Sequence, residues 1–315
     1  MIRSILVLGL VVACGAQPPS PDAHSTVPRT AAGTFAVQSR FDFPLPDAAR
    51  PVLATLAEAT DGPDDPSRFI VDAMVARLPA GPVATAATAA APFVAAYLNT
   101  RLAEIAPKLA PGLAQLTAQL ARIAQHLETA ETFRIAPDGV VIRSVTGVRF
   151  SLGAGVEMPF EAVGLPELAA TAKIEMHDGR LAIAPHALVV PYAQILRLGL
   201  DRVVIPSVAP GATDLGAALR ALVDCTRLGE LVAEELGLGS AAGYASACGA
   251  AMTAIAARID GQLEAIGSQR LVVSGTATGY DLDGDGAMDA IHDGAWLGQP
   301  GSSFVVTGGT FAGTR

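Results

Sequence analysis

Along this chain the spacing of apolar residues switches repeatedly between two periods, and that alternation limits the fold more than any single motif does. From residue 33 to 43 apolar and polar residues alternate. Phe35, Val37, Phe41 and Phe43 favour one face and Ser39 interrupts them, which predicts a strand ended by Pro44 and Pro46. Residues 51–60 and 67–78 read as short helices joined by an Asp- and Pro-rich turn. Apolar residues then step by threes and fours from Val94 through Leu98, Leu109, Leu116 and Ile123 to Leu127, an amphipathic stripe bent or broken near Pro107 and Pro111. Between 132 and 206 the period becomes two, in short runs separated by turns such as 137–139 and 177–179, and residues 203–205 close this set as a strand. Helical spacing returns over 214–236 and 241–266, and three strands follow over 270–280, 288–297 and 303–314. The expected fold class is α+β: a curved or partly closed antiparallel sheet with long amphipathic helices on one face or inside the curve.

Composition narrows the function. The 315 residues are 51% hydrophobic and 16% charged, enough apolar material for a large core. Alanine makes up much of that fraction and aromatics only 5%, so helices are expected to pack closely. The net charge is −9, with Lys108 and Lys173 the only lysines, which leaves no basic face for nucleic acid. Residues 78–100 carry no charge, but Pro79, Pro82 and Pro92 and the many Ala and Thr argue against a membrane span.

The first residues read as an address. Arg3 precedes an apolar run too short to span a bilayer, and the run ends in Val11, Val12, Ala13 and Cys14. This string resembles the lipobox of bacterial lipoproteins, although a 1–13 signal peptide is short for that class. The resemblance implies cleavage before Cys14, acylation (palmitate among the acyl chains) of that cysteine, and a membrane-anchored protein of the bacterial cell envelope. Gly15 in place of aspartate implies the outer membrane. An ordinary secretory signal with a chance cysteine is the alternative. Residues 14–32, rich in Pro, Ser and Thr and containing His24, read as a flexible tether, and 33–315 as one α+β domain. Within it the expected divisions are helical 47–131, strands 132–206, a helical hairpin 214–266 and C-terminal strands 270–315.

Two cysteines remain, Cys225 and Cys248, and an even pair in an exported chain predicts a disulfide stapling the helical hairpin. Free thiols or a metal pair are the alternatives, the latter without a CxxC or a nearby histidine to support it. The one motif with chemistry is Asp281, Asp283, Asp285, Gly286 and Asp289, of the form DxDxDGxxD. Carboxylates at alternate positions of a tight loop converge, and calcium takes six to eight such oxygens. The string resembles the first nine positions of an EF-hand loop. It then departs, with His292 where the bidentate glutamate belongs and strands instead of helices at its flanks. It is more similar to the calcium loops of integrin-type FG-GAP repeats. That resemblance implies a structural calcium held by Asp281, Asp283, Asp285, the Ala287 carbonyl and Asp289, against the alternative of a solvated acidic turn.

No HExxH, GxSxG or P-loop is present, and the glycines at 237, 239 and 243 follow a helix where a dinucleotide turn needs a strand. His177 and His186 read as structural or exposed. The expected function is a non-catalytic binding or structural role for a membrane-anchored lipoprotein. In a sharper version the curved sheet and the 94–127 stripe enclose a lipid or other apolar ligand. The rival is a hydrolase with a dispersed site.

Overall fold

A computed structural model describes residues 26–58, 65–151, 155–237 and 239–315. Its centre is a closed antiparallel barrel of eight strands: β1 (Gly33–Asp42), β2 (His126–Ile135), β3 (Val140–Phe150), β5 (Leu168–His177), β6 (Arg180–Val190), β7 (Gln269–Tyr280), β8 (Ala290–Gly298) and β9 (Gly308–Thr314). β1 closes the ring by pairing with β2 on one edge and with β9 on the other. A short β4 (Val156–Pro159) joins the free half of the β3 edge, beyond the stretch paired with β5. The sheet is therefore more closed than the curved or partly closed one expected. The closing pair, Gly33 with Ile135 through Asp42 with His126, joins strands separated by a whole helical insertion, a contact that local patterning does not carry.

Alternate residues point inward and fill the barrel, as eight strands require. Phe35, Phe41, Phe133, Phe311 and Trp296 are buried there. Ser39, which seemed to break the β1 series, is also inward and accepts a hydrogen bond from Trp296 Nε1 at 3.1 Å. Glycines leave room for the indole. A Cβ at Gly275 would lie 2.7 Å from the Trp296 ring, and one at Gly309 2.7 Å from the Trp296 Cβ. Bulges at Ala130/Glu131 and at Ile183/His186 bend the wall. Pro185 sits in the second of these, where a missing N–H costs no ladder bond.

β1 and β6 run in the same direction, so the helical insertions that follow them leave from one end of the barrel. The first holds α1 (Arg50–Ala57), α2 (Asp65–Val75), α3 (Pro82–Ile105) and α4 (Leu109–Gln125). The second holds α5 (Tyr192–Gly199), a π-helical turn (Leu200–Val204), α6 (Ile205–Val208), α7 (Leu215–Leu222), α8 (Cys225–Leu236) and α9 (Ala241–Ile266). Together they form one cap. α9 packs against α1, α2, α5, α7 and α8, and α4 against α1, α5, α6 and α7. The Tyr192 hydroxyl, buried, donates to the Ala124 carbonyl and so ties the two insertions together. The tight turns at 136–139 and 178–179, the 281–289 loop and the 26–32 segment lie at the opposite end. Among the described residues no helix is long and apolar enough to cross a membrane.

Several expected boundaries shift. The 94–127 stripe breaks near Pro107 as expected, into α3 and α4, but α3 starts earlier, at Pro82. Leu127 belongs to β2, since the step from Ile123 to Leu127 suits a helix and the step from Leu127 to Thr129 suits a strand. The α4 leucines pack among helices at the barrel's end and do not lie in the curve of the sheet. Residues 203–205 are helical. Ile195, Leu196, Gly199, Leu200, Val203 and Val204 are all buried at helical spacing, which outweighs three consecutive β-branched residues. The 214–236 segment breaks at Val223, because the Asp224 carboxylate caps a new helix by accepting from Thr226 and Arg227 N–H. β9 begins only at Gly308.

Candidate metal centre

The loop between β7 and β8 is built by its own aspartates. Asp281 Oδ1 accepts from Gly284 N–H at 2.7 Å and Oδ2 from Gly286 N–H at 2.9 Å. Asp283 accepts from Asp285 N–H, and Asp285 from Ala287 N–H at 2.6 Å. Gly284 and Gly286 hold φ of 81° and 89°, a left-handed backbone that favours glycine. These bonds turn the carboxylates toward one another. Asp281, Asp283 and Asp285 each offer an oxygen within 4.8 Å of the others, so this acidic triad can hold a metal ion. Among the described residues no other group of His, Cys, Asp and Glu converges in this way.

Asp281 is 1% exposed, while Asp283 and Asp285 are open to solvent. Burial pushes the Asp281 carboxyl up, but hydrogen bonds from the Thr26 hydroxyl and from the N–H groups of Gly284 and Gly286 outweigh it. The group is held below the usual carboxylate range and is ionised at neutral pH. Of the other predicted ligands, Asp289 accepts from Leu282 N–H through Oδ2 at 2.9 Å. His292 stacks edge-on against Tyr280, with ring centroids 5.3 Å apart.

The loop is also strapped from outside. Thr26 and Asp281 exchange backbone hydrogen bonds at 2.9 and 3.1 Å, and the Thr26 hydroxyl donates to Asp281 Oδ2 at 2.8 Å. Arg29 N–H donates to the Gly286 carbonyl, and Met288 N–H to that of Thr30. The C-terminal part of the segment read as tether thus lies along the acidic loop. Cys14 and His24 lie outside the described residues. Cys225 and Cys248 form the predicted disulfide, with Cα atoms 5.6 Å apart, between the starts of α8 and the second turn of α9.

Sequence reasoning missed the polar centre of the barrel. Arg143 on β3 makes a bidentate pair with Glu131 on β2, with both N–O distances 2.7 Å and both side chains essentially inaccessible. The Thr129 hydroxyl adds a third bond to Glu131 at 2.5 Å. Arg143 Nη1 lies 3.0 Å from His186 Nε2, and the guanidinium covers the Trp296 ring at 4.3 Å. A guanidinium only donates, so His186 Nε2 accepts and its proton sits on Nδ1, which donates to the Ala184 carbonyl at 3.0 Å. Burial and the Arg143 charge hold the His186 pKa below its ordinary value, so the ring is neutral. Both of its nitrogens are engaged, which makes His186 a structural partner of Arg143. Phase was the overlooked signal: Glu131 falls in step with inward Phe133 and Ile135, and Arg143 with Val141 and Val145.

Compared with known proteins, the chain matches no family model, no curated protein and no solved structure.

Proposed function

We propose that the chain is an exported lipoprotein, anchored in the bacterial outer membrane through Cys14, with a non-catalytic binding or structural role and a structural calcium in the 281–289 loop. The observation that carries this reading is the strap. The residues that lead from the anchor, Thr26–Thr30, are hydrogen-bonded to the loop whose aspartates converge. A cation there braces the end of the barrel and the entry of the tether in one step. Hard carboxylate oxygens on a short loop suit calcium, with the Ala287 carbonyl and Asp289 as further ligands. The Cys225–Cys248 disulfide fits an oxidising compartment. Labelling with palmitate in a bacterial host tests the anchor. Label is expected in the membrane-bound chain and lost, together with membrane association, in Cys14→Ser. Equal label in that variant contradicts the reading.

An apolar ligand is favoured by a separate observation. A groove of about 570 Å³ opens in the cap between residues 77–83 and 239–250. Tyr244 lines it, 3% exposed, with a hydroxyl that has no hydrogen-bond partner among the described residues. Lipid extracted from the purified chain supports this second reading if Tyr244→Trp, which fills the floor, abolishes its recovery.

A further inference from the structure

At the cap end of the barrel, on its outer face, β1, β2, β3 and β4 set charged residues side by side. The register pairs Arg40 with Glu128, Glu128 with Arg149 and Arg149 with Glu157. Next along, Asp42 pairs with His126. Asp42 Oδ1 lies 2.6 Å from His126 Nδ1 and 3.1 Å from Arg40 Nε. Arg40 Nη2 is also 3.5 Å from that Nδ1, but a guanidinium has nothing to accept with, and the shorter contact assigns the Nδ1 proton to Asp42. The Asp42 carboxylate is thereby taken up by two partners, and His126 Nε2 has none among the described residues.

Arg122, in the last turn of α4, and Arg149, on β3, make no ion pair among the described residues. Arg40, Arg122, His126 and Arg149 line one cavity of about 260 Å³ together with Glu128 and Ser151. The Ser151 hydroxyl donates to Glu128 at 2.5 Å, occupying part of the one carboxylate in the lining. A groove of about 420 Å³ continues from it along β1 and β9, sharing Arg40, Glu128 and Arg149. Three arginines thus line one concavity of a chain whose net charge is −9. Scattered exposed arginines on such a surface would face solvent or neighbouring carboxylates. Here two make no ion pair among the described residues and line the same space, where each gains from a planar or tetrahedral oxyanion it can bind in bidentate fashion.

We propose that this cavity at the cap end of β1–β3 binds an oxyanion, phosphate or carboxylate, carried by a polar molecule whose remainder lies in the adjoining groove. Arg122 and Arg149 are the principal donors. Arg40 is held in place by Asp42, and His126 presents Nε2. The cavity sits a full strand length, roughly 30 Å, from the Thr26–Thr30 strap at the other end of β1.

Calorimetric titration of the chain with inorganic phosphate at low ionic strength tests this, alongside sedimentation with phosphatidylcholine vesicles with and without phosphatidylglycerol. Saturable phosphate binding is expected, weakened by about tenfold or more in Arg122→Gln/Arg149→Gln. Both residues are exposed, so the melting temperature should hold, and Arg134→Gln at the far end of β2 should bind as the parent does. Phosphate binding without vesicle binding identifies a soluble ligand. Binding of both, each lost in the double variant, identifies a lipid headgroup. Absence of both, or affinity unchanged by the double substitution, overturns the proposal.

Discussion

The barrel and its cap fill their interiors in opposite ways. The barrel wall has a diameter set by strand number, so its centre must be filled from inside. It holds five large aromatic rings and an Arg143–Glu131 pair with His186 and Thr129 as further partners. The cap has no such wall, and its helices move together until small side chains stop them. Ala218, Cys248 and Ala251 are fully buried, and a Cβ at Gly229 would lie 2.4 Å from the Ala241 carbonyl across the α8–α9 contact. Directional polar bonds position the barrel residues, whereas close approach and one disulfide position the cap. A frame fixed by backbone pairing can accommodate a buried charge pair, because every donor and acceptor has a defined place.

Removing one partner of the ion pair is the harshest way to break this comparison. Arg143→Ala leaves Glu131 buried and unpaired and is expected to cost about 3–5 kcal/mol in denaturant unfolding. Arg143→Met combined with Glu131→Leu removes both charges and should recover most of that loss. Equal losses in the single and double variants would mean that the barrel depends on volume alone.

In the cap, Cys225→Ala/Cys248→Ala is expected to cost about 3 kcal/mol through the freed unfolded chain. Hydrogen exchange should quicken in α8 and α9 and stay slow in β2, β3 and β7. Uniform quickening would make barrel and cap a single cooperative unit.

Metal at the opposite end of the barrel should matter less. Calcium at tenfold excess over its dissociation constant is expected to add about 1.4 kcal/mol, and Asp283→Ala to abolish that gain. The smallest effect is that of pH. The unfolded chain protonates His186 near its ordinary pKa of 6.5, whereas the folded chain resists. This contribution is complete above that pH and declines as pH falls from about 6.5 toward the lower folded value. The unfolding midpoint should therefore fall between about pH 7 and pH 5.5 more steeply in the parent than in His186→Gln.

What could be read beforehand follows the range of each signal. The helical hairpin was legible, because Gly237 and Gly239 break it and its two cysteines are near in sequence. The aspartate triad was legible because its carboxylates lie at alternate positions within five residues of one loop. Closure of the barrel was not, since β1 meets β2 and β9 only across long stretches of chain. The ion pair was hidden for a related reason. On a strand, a charge marks the outer face by default, and only its step with inward apolar neighbours reveals Arg143 as buried. The arginine cavity needs three strands and the end of α4 brought together, and no one segment of the chain signals it.

The central claim is that one cation braces both the barrel end and the segment leading from the anchor. Amide hydrogen exchange across a calcium titration, with native mass spectrometry on the same samples, tests it most directly. The account predicts one calcium bound, with residues 26–30 and 281–289 protected together at the same half-saturation, and neither change in Asp281→Asn. An unchanged mass in excess calcium, or protection of the loop without the strap, would contradict it.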